Sequence, residues 1–178
     1  MPAVKGLTDM ITRSPTSIVE PQPCAVLGTI RSSVAVKFAT VTGVYDLLQV
    51  SQEATSDALD NKVLYPLFSR THTSDAGSAR LLPKFMNDVM DIQKFAVVYL
   101  ADDGYGTSYL KVVQNYAREN GLYVLPVPLT LYPTYTREGL MEELKVLLDS
   151  KLNYVIGVIF DSEYAEIMEA ARELGVAG

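Results

Sequence analysis

The sequence has a single cysteine, Cys24, a single histidine, His72, and no tryptophan. One cysteine excludes an internal disulfide and any metal cage built from several thiolates. One histidine excludes His-cluster metal sites and leaves one candidate for a His-dependent triad. Cys24 opens an apolar segment and is expected to be a small buried hydrophobe. Basic charge is also scarce: 15 Lys and Arg stand against 21 Asp and Glu, a net charge of −6, with no clustered basic run. That balance argues against nucleic acid or an anionic membrane as the main partner. No apolar run approaches the ~18 residues of a membrane span. Asp9 and Pro15 interrupt the first residues, which therefore do not read as a signal peptide. The motifs GxxxxGKS/T, GxSxG, HExxH and GxGxxG are all missing.

What the chain does have is apolar material: 48% of its 178 residues are hydrophobic and 20% charged. That is enough to bury a core. Lys94–Gly106, KFAVVYLADDGYG, organises the rest. Phe95 to Leu100 reads as a strand buried on both faces, Ala101 to Gly104 as a polar turn, and the residues from Gly106 as a helix. Strand, turn and helix form half of a βαβ unit, and ligands in open α/β sheets sit at the carboxyl ends of such strands.

The same alternation runs along most of the chain. Residues 1–23 carry four prolines and are expected to be largely irregular, with a short helical piece near Leu7 to Thr12. Strands are predicted at Cys24–Gly28, Leu47–Ser51, Tyr65–Thr71, Leu122–Val127 and Tyr154–Phe160. Helices are predicted from Val34 to Asp46, with Ser32 or Ser33 as N-cap, and from Ser74 to Asp91. Leu81, Leu82, Phe85, Met86 and Val89 are read as the apolar face of the latter, and Pro83 as a bend in it. Two more helices follow, one ending at Asn120-Gly121 and one beginning at Thr136. The last is predicted over Glu163–Leu174 with Asp161 or Ser162 as cap. Alternating strands and helices define an α/β chain with parallel sheets.

Few residues carry an obvious chemistry. Asp102 and Asp103 are neighbouring carboxylates at a turn, where acids serve equally as turn formers and helix N-terminal charges. Ser32 and Ser33 stand where a helix begins, a position that either caps the helix or receives an anion. Thr55 shares that ambiguity. Of the 11 tyrosines, Tyr105 falls outside a helical stripe and is the one placed beside a cleft.

Four segments together resemble a known family: VLGTIRSSVA (26–35), VSQEATSDALDNKVLYPLFSRTHTSD (50–75), VVYLADDGYG (97–106) and ARELGVAG (171–178). They are similar to the receptor family ligand-binding region. This is the type I periplasmic-binding-protein fold of class C G-protein-coupled receptors, receptor guanylate cyclases and bacterial amino-acid-binding proteins. The resemblance implies two βα lobes around a cleft that closes on ligand, with residues 1–72 in a partial first lobe and 73–178 in a partial second one. It implies about half of such a domain, so a fragment is expected, with membrane and signalling domains outside it. By the same resemblance, Ser32, with Ser33 beside it, and Thr55 hold the α-carboxylate and α-amino groups of an amino acid. Asp75 and Tyr105 face the same groups, and Glu53, Ala54 and Asp103 are secondary candidates. Gln52-Glu53 and Ile30-Arg31 depart from the small residues usual at those places.

The leading expectation is thus the extracellular ligand-sensing part of a membrane receptor. It binds a small polar ligand, dimerises in the full-length receptor, uses no cofactor or metal, and is not an enzyme. A solute-binding protein of an amino-acid transporter is the alternative. A stand-alone α/β enzyme using Asp102 or Asp103 is the third reading.

Overall fold

Every strand pairing among the described residues is parallel, and these strands belong to two separate sheets of three. The structure, a computed structural model, describes residues 2–12, 23–130 and 136–176. It divides into two compact units, Met1–Ser74 and Asp75–Gly178.

Unit 1 contains α1 (Pro2–Ile11), β1 (Ala25–Leu27), α2 (Ser32–Val44), β2 (Leu48–Ser51), a 3-10 turn (Asp57–Asp60) and β3 (Phe68–Arg70), with sheet order β1-β2-β3. Ala35 and Ala39 of α2 pack with Ala54, Leu59 and Phe68, while Phe38 packs with Leu7 and Ile11 of α1. The small alanine side chains let α2 lie close to its neighbours. The expected buried strand at Cys24–Gly28 is shorter and lies at the sheet edge. Only Ala25–Leu27 pair with β2, Cys24 is exposed, and Leu27 is 84% exposed. A strand covered on one side only cannot bury its whole apolar run.

Unit 2 is built on β4 (Lys94–Leu100), flanked by β5 (Tyr123–Leu129) and β6 (Val155–Val158), with helices α3 (Asp75–Asp88), α4 (Gly104–Asn120), α5 (Arg137–Ser150) and α6 (Asp161–Glu173). Side chains alternate across a strand, and β4 uses both faces. Phe95 and Val97 pack with Ala79, Met86, Tyr109, Leu110 and Val113 from α3 and α4. Ala96, Val98 and Leu100 pack with Leu140, Leu144, Leu147, Ile167 and Ala170 from α5 and α6. Two covered faces explain why the apolar run is continuous. Phe95 and Leu100 are fully buried, and each such side chain stabilises the fold by roughly 1.5–3 kcal/mol.

Strand β5 carries Pro126 and Pro128, yet pairs with β4 along its whole length. Tyr123 donates to the carbonyl of Gln93, so odd-numbered residues turn their N–H toward β4. The prolines fall on the outer edge, where no donor is needed. Helix α4 ends at Gly121 with φ +70°, the expected left-handed glycine cap.

Three expectations need correction. Arg31, not Ser32 or Ser33, occupies the N-cap of α2, and its own side chain makes no cap hydrogen bond. Phe160, not Asp161 or Ser162, is the N-cap residue of α6. In α3, Ala79, Pro83 and Met86 face inward, while Leu81, Leu82, Phe85 and Val89 are exposed. Pro83 is thus part of the packed face.

Candidate functional site

The candidate residues form one cluster in each unit, and both clusters lie just past the carboxyl ends of parallel strands. In unit 1, β1 leads into the start of α2, and β2 leads into residues 52–56. The two loops are tied together. The Ser51 hydroxyl donates to the Thr29 carbonyl at 2.6 Å and accepts from the Ala54 N–H at 3.0 Å. The Ser32 hydroxyl accepts from the Ser56 N–H at 3.2 Å. Ser32 is 2% exposed, so its role in the folded chain is to hold the 54–56 backbone against the first turn of α2. Ser33 and Thr55 are half-buried and remain reachable, Glu53 is exposed, and Ala54 is packed into the core.

A clamp that the sequence reading passed over completes this cluster. The Arg70 guanidinium, at the end of β3, donates to the carbonyls of Ala54 at 3.0 Å and Ser56 at 2.9 Å, and also pairs with Asp60. Asp60 in turn accepts from the Ser74 hydroxyl at 2.6 Å. A planar guanidinium with several fixed donors suits this task better than a lysine ammonium would. The only sequence signal was the position of Arg70 within the longest matched segment. The physics therefore joins the first turn of α2, Thr55 and the 54–56 backbone into one rigid patch. Backbone N–H groups at the start of an α-helix favour an anion.

In unit 2 the cluster is aromatic and acidic. Asp103 is the N-cap of α4, its carboxylate accepting from the Tyr105 N–H at 2.8 Å. That bond fixes Tyr105 in the first turn. The Tyr105 ring meets Tyr109 edge-on, with centroids 6.0 Å apart, and lies tilted against Phe160 at 5.5 Å. Phe160 lies just past the carboxyl end of β6, and Tyr105 past that of β4 after a short turn, so both rings gather at the same end of the sheet. Asp75, 3% exposed, opens α3 nearby. Burial, with the Asp75 carboxylate adding to it, pushes the Tyr105 phenol up to about 12. Burial raises the Tyr109 phenol as well. Aromatic faces beside a carboxylate form an environment that favours a cation over an anion.

The structure therefore gathers Ser32, Ser33, Ala54 and Thr55 in unit 1, and Asp75, Asp103 and Tyr105 in unit 2. Arg70 joins the first list and Phe160 the second. Asp102 is exposed. Among the described residues no group of His, Cys, Asp and Glu is arranged to hold a metal ion, and no helix is long and apolar enough to cross a membrane.

A family model decides the relationship. The model for the receptor family ligand binding region matches residues 3–178. The chain belongs to this family. No curated protein matches it. Membership in the receptor family ligand binding region makes this a ligand-binding domain, with parallel βα units of the type I periplasmic-binding-protein kind. The placement of polar residues at strand carboxyl ends in both units is what such a domain requires.

Proposed function

We propose that this chain is the sensing part of an extracellular receptor domain that binds a small polar ligand carrying an amino and a carboxylate group, an amino acid being the simplest. In this reading Met1–Ser74 and Asp75–Gly178 belong to the first and second lobes, and lobe closure on the ligand is the signal. The start of α2, with Ser33 and Thr55, receives the carboxylate. The aromatic faces of Tyr105 and Phe160, with the charge of Asp75, receive the ammonium. Ser32, Arg70 and Asp103 position these groups rather than touch the ligand. The binding step involves no covalent chemistry, and the activity is recognition rather than turnover.

The observation that carries this reading is the rigid patch in unit 1. Three separate segments converge on residues 54–56 through the Ser32, Ser51 and Arg70 bonds, beside the first turn of α2. Isothermal titration calorimetry of the chain with a panel of amino acids tests the proposal. Binding of at least one amino acid is expected, weakened at least about tenfold by Thr55→Ala and by Tyr105→Ala, each equivalent to about 1.4 kcal/mol. Absence of binding across the panel, or binding that neither substitution alters, would sink the amino-acid reading.

A further inference from the structure

Strand β2, Leu-Gln-Val-Ser, is turned the opposite way from its hydrophobic pattern. Alternation puts Leu48 and Val50 on one face of the sheet and Gln49 and Ser51 on the other. A strand covered on one side should bury the apolar pair. Instead Leu48 is 43% exposed, whereas Gln49 and Ser51 are wholly buried. The residues paired with Gln49 across the sheet, Val26 and Phe68, both pack against α2. Gln49 points to the same side, so an amide occupies the middle of an otherwise apolar layer.

That placement costs stability. The Gln49 Nε2 donates to the Gly28 carbonyl at 3.3 Å, but among the described residues no donor reaches its buried Oε1. The buried hydroxyls of Thr42 and Ser51 give their protons elsewhere, Thr42 toward the Phe38 and Ala39 carbonyls and Ser51 to that of Thr29. A buried acceptor without a donor is destabilising, and a methionine of similar length would not introduce one. A residue that breaks the hydrophobic pattern at a cost points to function. What the amide does is hold a loop. Gly28 and Thr29 connect β1 to α2, and their consecutive carbonyls are each bonded by a side chain from the buried face of β2, Gln49 for Gly28 and Ser51 for Thr29. Gly28 has φ +115°, in the region that glycine alone enters freely, so the shape of this loop depends on what holds its carbonyls.

We propose that Gln49 is a positioning residue for the start of α2: with Ser51 it fixes the Gly28 and Thr29 peptide groups, and so the direction in which the first N–H groups of α2 meet a carboxylate. Gln49 itself does not touch the ligand. Its bearing on the ligand rests on the carboxylate reading of α2, whereas its bearing on the loop does not. The Gly28 residue is only half-buried, so water can take the place of the amide at its carbonyl. Loss of Gln49 therefore frees the loop without unfolding the sheet.

Gln49→Met in the full chain tests both parts. In ligand-free nuclear magnetic resonance spectra, the backbone amide signals of Thr29 to Val34 should move while those of β4 and α4 stay in place. The urea midpoint should be unchanged or higher, because a buried unpaired acceptor is removed. Acetate, a carboxylate with no ammonium, is then titrated while the Ser32 to Val34 amides are followed. It should bind the variant at least about tenfold more weakly than the parent chain, as a loss of preorganisation implies. Stability kept while carboxylate binding is lost is a result that a merely structural glutamine would not give. Circular dichroism establishes folding, and Gln49→Leu provides the same comparison should Gln49→Met not fold. Unmoved signals from Thr29 to Val34 overturn the proposal, as does acetate bound equally by both chains. A lower midpoint with affinity falling in proportion also overturns it, since Gln49 then serves only the fold. If acetate leaves the parent spectrum unchanged, the carboxylate reading of α2 falls, and the ligand-free spectra with the midpoint decide whether Gln49 positions the loop.

Discussion

Gly106 stands in the first turn of α4, where the helix comes closest to β4. A Cβ at that position would lie 2.4 Å from the Leu100 carbonyl oxygen, 2.9 Å from its nitrogen and 3.2 Å from its carbonyl carbon. Ordinary contact begins near 3.4 Å, so Gly106→Ala asks backbone to move from backbone by about an ångström. Neither side yields easily. Leu100 ends the central strand and is fully buried, and α4 is held by its Asp103 cap and by Tyr109, Leu110 and Val113 in the core. Overpacking of this kind costs about 1–3 kcal/mol or more, against a gain of at most about 1 kcal/mol from replacing glycine by alanine within a helix. A net loss of about 2 kcal/mol is expected. Urea unfolding followed by circular dichroism reads it as a midpoint lower by about 1 M, given the usual dependence on denaturant. Gly77→Ala is the matched control. Gly77 is an exposed helical residue of α3 with nothing within 4 Å of its added Cβ, so this substitution should be neutral or stabilising by up to about 1 kcal/mol. If Gly106→Ala unfolds within about 0.5 kcal/mol of the parent chain, the close approach of α4 to β4 is wrong, and with it the placement of Tyr105.

The Tyr105 phenol should ionise late, near 12, and an ultraviolet phenolate titration should show one late tyrosine disappear in Tyr105→Phe. Because its folded pKa lies above its unfolded one, it contributes stability that is fully present below about pH 10 and declines as pH rises toward 12. Ser32→Ala removes the acceptor of the buried Ser56 N–H bond and should lower stability by about 1–3 kcal/mol in urea. An unchanged midpoint would mean that Ser51 and Arg70 hold the 54–56 loop without it. Thr136→Ala removes the N-cap bond to Gly139 N–H at 3.1 Å, with an expected cost of about 1 kcal/mol by thermal or urea unfolding. Thr136→Ser should recover most of that loss.

Both the legible and the illegible parts of this fold trace to what covers a surface. β4 was readable from its composition because helices cover both its faces, so every position from Phe95 to Leu100 could be apolar. The edge strands β1 and β6 were overestimated because an apolar run does not say how many neighbours a strand has. Periodicity found the apolar stripe of α3 but could not tell which side of the helix the rest of the fold would occupy. Alanine and proline, which carry little hydrophobic signal, took the inward face. The N-cap of α2 lies one or two residues before the expected serines, because serine chemistry favours a cap whereas the backbone turns helical after Arg31, whose ψ of 130° is still extended. Phe160 read as the last residue of a strand. Its position two residues after β6, matching an aromatic after β4, was the signal that could have placed it with Tyr105.

The roles of the candidate residues follow from how their bonding capacity is used. A hydroxyl such as that of Ser32, accepting from a neighbour's N–H while almost wholly buried, fixes the backbone of the 54–56 loop, and in the proposed reading it shapes the site without touching the ligand. The same holds for Asp103, whose carboxylate caps α4, and for Arg70, whose guanidinium spans two carbonyls and a carboxylate. Groups that remain accessible, Ser33, Thr55 and the faces of Tyr105 and Phe160, are few and sit on elements these buried bonds make rigid. Preorganisation of this kind reduces the ordering that binding a small ligand must otherwise impose. It also predicts how substitutions divide. Changes at Ser32, Arg70 or Asp103 should lower stability and affinity together, whereas changes at Thr55 or Tyr105 should lower affinity with a much smaller effect on stability. Measuring both quantities on the same variants separates a binding site from a set of well-capped turns. If every substitution moves the two quantities in proportion, the clusters serve only the fold.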